Sequence, residues 1–239
     1  MQVRYAVYYA PEPASALWRF GSAVLGFDAV TGEPCPQWRP GDMPEVDWLA
    51  ATADPRLYGF HATLKAPFRL ASDRSEVELV DFLQAFCRRT ASVDLGASVI
   101  DVVSPEPDGG FVALIRAPDA VPNPPLAALE GAIVREFDAF RAPLSEAEIA
   151  RRNPDRLSPR QRGNLDRFGY PFVLDDFMFH MSLTGRIAAS DPVAKALRNQ
   201  AQAVGADTPL AIDRLALFRQ ENGGRFRVLA AAPLSGPRP

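Results

Sequence analysis

Lysine is nearly missing from this chain: of its 26 basic residues only Lys65 and Lys195 are lysine, and the rest are arginine. Coding bias explains most of that skew, since proline is abundant too; the remainder points to arginines that grip a phosphate or carboxylate with a planar fork. Histidine is as scarce, with His61 and His180 alone, and so is cysteine, with Cys35 and Cys87. Two thiols so far apart make no disulfide framework and have no metal-ligand spacing. No run approaches the ~18 consecutive apolar residues of a membrane-spanning helix. The start, Met1 to Tyr5, lacks the charged residues, apolar run and cleavage site of a signal peptide. The expected compartment is therefore the cytoplasm, with no membrane partner. A net charge of −3 and a pI near 5.5 argue against a broad nucleic-acid-binding surface.

What is present is the composition of an ordinary globular protein: 239 residues, 47% apolar and 23% charged, enough for one large domain or two small lobes. Residues 3–9 read as a strand, 14–26 as a helix and 31–44 as a loop. Residues 60–70 read as a strand and 75–90 as a helix; strands at 97–103 and 111–116 flank the turn signal Pro105 to Gly110. In the second half helices are expected at 125–140, 145–151 and 158–168, a strand at 177–187, a helix at 190–204, and strands at 211–218 and 225–231 around Glu221-Asn222-Gly223-Gly224. Each half thus runs strand, helix, hairpin, which suggests a duplication with halves near 1–120 and 121–239 of one domain.

The duplication is specific at two places. Phe60-His61-Ala62-Thr63-Leu64-Lys65 aligns with Phe179-His180-Met181-Ser182-Leu183-Thr184, and these hold the only two histidines. Packing in a repeated fold explains the Phe and Leu but not a His beside a hydroxyl. A strand puts residues i and i+2 on one face. His61, Thr63 and Lys65 therefore share a face, as do His180, Ser182, Thr184 and Arg186, with the apolar residues opposite. Across a pseudo-twofold axis, two such rows line one cleft that suits an anion. Two imidazoles with an ordinary pKa near 6.5 divide acid and base work, one neutral and one protonated. The Thr63 and Ser182 hydroxyls then donate to phosphoryl oxygens. The chemistry suits in-line attack at a phosphodiester, above all a cyclic one, and needs no metal and no cofactor.

Paired His-x-Thr/Ser motifs in a duplicated chain resemble the two-histidine (2H) phosphoesterase superfamily. More narrowly, Tyr58-Gly59-Phe60-His61-Ala62-Thr63-Leu64-Lys65-Ala66-Pro67-Phe68, with Leu157 to Gln161, Gly169-Tyr170-Pro171 and Phe179 to Arg186, resembles the branch encoded beside carbon–phosphorus lyase genes. The superfamily resemblance implies a bilobed α+β fold, two antiparallel sheets facing a central cleft with helices packed outside, and metal-independent chemistry. The branch resemblance implies phosphonate breakdown, through a ribosyl 1,2-cyclic phosphate that also carries a 5-phosphate. The expected activity is opening of such a small cyclic phosphate ester. The alternatives are an RNA enzyme acting on 2′,3′-cyclic ends and a non-catalytic phospho-ligand binder. Lys65, Tyr58, Tyr170 and Arg186 are candidate substrate contacts. Arg160 and Arg162, in the arginine-rich stretch 151–167, read either as a solvated helix face or as a clamp for a second phosphate.

Overall fold

A computed structural model describes residues 2–106, 109–188 and 190–237. Pro107 and Asp108 of the expected turn lie outside them, as does Met1. The chain opens with strand β1 (Val3–Tyr9), helix α1 (Ala16–Leu25), short strands β2 (Phe27–Asp28) and β3 (Glu33–Pro34), and helices α2 (Glu45–Ala51) and α3 (Ala53–Arg56). Strand β4 (Ala62–Phe68), helix α4 (Glu76–Arg89) and strands β5 (Val93–Gly96), β6 (Ser98–Glu106) and β7 (Gly109–Arg116) follow. Then come α5 (Pro124–Glu136), α6 (Glu146–Ala150), α7 (Pro159–Phe168), β8 (His180–Ile187), α8 (Ser190–Ala203), β9 (Leu210–Ile212), β10 (Arg214–Glu221) and β11 (Arg227–Pro233).

Local chemistry sets the helix ends. Ser15 accepts from the Trp18 N–H at the start of α1, and Gly26, left-handed, closes it. Ser75 and Glu78 form a reciprocal capping box on α4, and Ser158 and Gln161 form one on α7, where Pro159 takes the first helical position. The helix expected at 125–140 stops at Glu136 and tightens into a 3₁₀ turn, Phe137–Phe140. Helices α2 and α3 and the β5–β9 pair have no counterpart in the sequence reading.

Seven strands form one antiparallel sheet in the order β11-β10-β1-β4-β8-β7-β6. One face carries Val7, Leu64, Met181, Leu183 and Leu217 into a core with Leu17 and Phe20 of α1, Leu83 of α4, Ile133 of α5 and Leu197 of α8. Residues of the opposite parity, Ala6, Tyr8, Ala216 and Phe218, form a second apolar cluster on the other face. The two expected facing sheets are thus corrected to one sheet. Its middle is thin: among the described residues β4 and β8 share one register pair, Ala62 opposite Met181. The two strands start side by side and run apart, so the sheet splays into a cleft there while remaining continuous. The hairpins also cross over. β10 and β11, late in the chain, stand beside β1 and β4, whereas β6 and β7 stand beside β8.

Candidate active site

Both histidines sit where β4 and β8 begin, and each is held in the same way. His61 Nδ1 lies 2.8 Å from the Gly59 carbonyl and His180 Nδ1 2.8 Å from the Met178 carbonyl. A carbonyl oxygen only accepts, so Nδ1 carries the proton in each ring and Nε2 is the basic nitrogen. The Thr63 hydroxyl stands 3.2 Å from His61 Nε2 and donates to it. Gly59 reaches this position at φ +75°, where a Cβ would lie 2.7 Å from the Ala29 Cβ. Behind the motif, Gly21 of α1 lies so close to the Phe60 ring that no other residue fits. Helix α1 thereby seats the strand entry that carries His61.

The two rings line one cleft of about 360 Å³, inside the ~300–1,000 Å³ range of small-molecule sites. Thr63, Ser182 and Thr184 line it as well. Tyr8 stacks on His61 with centroids 3.8 Å apart, and Phe218 lies 6.1 Å away. Phe111 meets His180 edge-on at 5.7 Å. Burial pushes the His61 imidazole down to about 4, against the Gly59 hydrogen bond and helped by nearby His180. Burial lowers His180 too, opposed by the Met178 carbonyl. Burial thus favours the neutral form of both rings near pH 7.

The remaining expected contacts divide. Tyr58, Tyr170 and Arg186 line the cleft. Arg186 also donates to the Gly109 carbonyl at 2.7 Å and to that of Ser104 at 3.3 Å, tying β8 to the β6–β7 hairpin. Lys65 does not reach the cleft. It is 3% exposed, and its ammonium bonds the Val134 carbonyl at 3.0 Å and Asp138 at 2.9 Å. The cause is a bulge. Tyr8 pairs with Thr63 but Val7 with Lys65, so β4 spends two residues where β1 spends one and its alternation flips. Ala66 and Pro67 line the cleft in its place. Arg160 is also outside, in a forked pair with Asp176 at 2.7 and 3.0 Å. Arg162 bonds the Pro154 carbonyl at 2.7 Å and Asp155 at 3.3 Å.

Among the residues lining the cleft, Tyr8, Arg4, Arg152, Asp54 and Phe111 were not singled out by the sequence reading. Tyr8 and Arg4 come from β1, whose place beside β4 follows from sheet order and from no local pattern. Arg152, in the flagged arginine-rich stretch, follows α6 and lies over the Tyr170 ring at 4.9 Å. The Tyr8 hydroxyl is buried and has no hydrogen-bond partner among the described residues. Also among the described residues, no group of three His, Cys, Asp or Glu side chains is placed to hold a metal ion, and no helix is long and apolar enough to cross a membrane.

The profile of the family described as "Protein of unknown function (DUF1045)" matches residues 63–227. The chain belongs to that family. Two curated relatives are each named ribose 1,5-bisphosphate phosphokinase PhnN. That of Janthinobacterium sp. (strain Marseille) is 37% identical over 242 residues, covering 98% of this chain and 51% of the relative. That of Laribacter hongkongensis (strain HLHK9) is 34% identical over 229 residues, covering 95% and 50%. The chain thus spans about half the length of the curated relatives it matches. Among solved structures, TT0787 of Thermus thermophilus aligns over 100% of both chains at 18% identity and a TM-score of 0.39, a likeness on which nothing further rests. These names correct the expected activity. The relatives are called kinases, not cyclic phosphodiesterases, and opening of a cyclic phosphate is set aside. The DUF1045 chain itself contains no Gly-x-x-x-x-Gly-Lys-Ser/Thr phosphate loop, because neither lysine follows a glycine.

Proposed function

We propose that this DUF1045 chain binds a phosphorylated ribose in the two-histidine cleft and carries out acid–base chemistry at one of its phosphate groups, as a step of phosphonate metabolism. The observation that carries this reading is the matched pair of imidazoles, each fixed through Nδ1 by a carbonyl two residues earlier and each lining the same cleft. A phosphate's second ionisation lies near 6, so at pH 7 it enters chiefly as the dianion, whose charge favours the protonated form of the imidazoles it faces. Thr63 and Ser182 supply hydroxyl donors to its oxygens. The relatives' names supply the sugar: a ribose carrying two phosphates. The paired motifs resemble those of the two-histidine superfamily, and the ligand proposed for them is an acyclic phosphate.

The same names favour a second reading, in which the cleft holds the acceptor sugar of a phosphokinase. Since this chain has no phosphate loop, the nucleotide would then be held by the part of the relatives that lies beyond its match. Phosphorus NMR of ribose 1,5-bisphosphate with the chain, with and without magnesium ATP, separates the two. Change without ATP supports the first reading and change only with ATP the second. Unaltered spectra with no binding by calorimetry would overturn both.

A further inference from the structure

The histidine cleft does not end at the histidines. A second cavity of about 380 Å³ adjoins it and shares Arg4, Tyr58, Pro67 and Arg152 as walls. Its far side is formed by Arg151 and by the carboxamides of Gln2 and Gln220. Three arginines thus converge on one hollow in a protein of net charge −3. Their own contacts leave the charge uncompensated. Arg4 donates to the neutral Gln220 at 2.7 Å and lies over the Phe226 ring at 5.5 Å. Arg151 donates to its own helix at the Ala147 carbonyl, 3.2 Å away. Arg152 rests on the Tyr170 ring. Among the described residues none of the three forms a salt bridge. The one carboxylate in the wall, Glu148, is engaged by Arg69 at 3.3 and 3.0 Å and caps α6 through Ser145. By contrast Arg160 and Arg162, the arginines singled out from sequence, each face a carboxylate.

We propose that this second cavity is a phosphate subsite: Arg4, Arg151 and Arg152 hold a phosphate monoester at the end of the sugar remote from the histidines, so that the full site selects a doubly phosphorylated pentose. This rests on the reading of the first cleft as a phosphorylated-ribose site. Guanidinium forks meet phosphate oxygens bidentately and stay charged at every working pH. Stacking on Tyr170 and Phe226 holds two of them in place before ligand arrives, which lowers the ordering cost of binding. A phosphate fixed there supplies binding energy that sets the reacting phosphate against Nε2.

Calorimetry with ribose 1,5-bisphosphate, ribose 1-phosphate and ribose 5-phosphate tests this. The wild-type chain should bind the bisphosphate at least about ten-fold more tightly than either monophosphate. In Arg151→Gln, at an arginine that lines the second cavity and not the histidine cleft, that preference should fall several-fold, with affinity for at least one of the monophosphates unchanged. Arg151→Lys, which keeps charge and loses the fork, should fall between, and melting curves confirm that each variant folds. A preference that survives Arg151→Gln in full overturns the subsite, as does an equal loss on all three ligands. Monophosphates that bind as tightly as the bisphosphate to the wild type overturn the subsite while leaving the cleft reading intact. Failure of every sugar phosphate to bind overturns the cleft reading as well.

Discussion

Strands β4 and β8 begin with the same motif and end differently. Each opens on a histidine tied back to a carbonyl, followed by a hydroxyl on the same face, with Ala62 and Met181 paired between them. Past that point both strands take two extra residues, β4 singly and β8 together. β4 takes two extra residues against β1 one at a time: the first flips its alternation and sends Lys65 into the ion pair with Asp138, and the second, before Phe68, restores it. β8 carries two extra residues against β7, since Ala113 pairs with Ser182 and Phe111 with Arg186. An even insertion keeps parity, so Ser182, Thr184 and Arg186 all stay on the cleft. The Thr184 hydroxyl accepts the Val112 N–H at 2.9 Å, replacing a backbone partner lost to the bulge. The histidine pair is thus kept symmetric and the cations are not. Positive charge comes from Arg186 on one side and, on the other, from Arg4 and Arg152, which other elements supply.

The largest expected effect tests the symmetric part. Replacing either His61 or His180 with Ala should lower turnover of the phosphorylated ribose at least ~10²-fold, measured by phosphorus NMR. A loss confined to one strand would break the equivalence. The acceptor carbonyls differ in what they tolerate. Gly59→Ala should cost about 1–3 kcal/mol, because it forces a left-handed alanine against Ala29. Met178→Ala, at a side chain 48% exposed, should stay within about 0.5 kcal/mol; thermal melts compare the two. The cations come last. Lys65→Met should cost about 1–2 kcal/mol, since the Val134 carbonyl loses its donor while Asp138 keeps Arg141, and should leave ligand affinity unchanged. Arg186→Met should differ in affinity, weakening phosphate-ester binding several-fold. Equal behaviour of the two would mean that the bulge on β4 does not set which cation serves the cleft.

The features legible in sequence are the local ones. The alternation of Phe60, Ala62 and Leu64 against His61 and Thr63, and its repeat at Phe179 to Ser182, put the histidines and hydroxyls on one face. Ser158-Pro159 marks the start of α7. What could not be read depends on a distant partner. The flip at Lys65 arises from pairing with β1, more than fifty residues earlier in the chain, and no residue in Leu64-Lys65-Ala66 signals it. Among the described residues the continuity of the sheet rests on the one Ala62–Met181 pair. Arg160 looked like a clamp because its neighbours are basic, but Asp176, brought close by the turn after α7, takes its fork. Helices α2 and α3 follow a proline-rich loop and are too short for periodicity to declare them.

With two histidines in the chain, nitrogen-15 NMR of the side chains tests the central claim without ambiguity. The account predicts that both rings are neutral Nδ1–H tautomers at pH 7. Because burial holds His61 below its ordinary value, it should stay neutral as pH falls through 6.5 and protonate only near 4. The stability that its neutral form contributes is present above pH 6.5 and is lost as pH falls through that lower value. Adding ribose 1,5-bisphosphate at pH 7 should move both Nε2 resonances together toward the protonated range. A ring already protonated at pH 7 without ligand, or a ligand that shifts one histidine and leaves the other untouched, would contradict a single cleft worked by both.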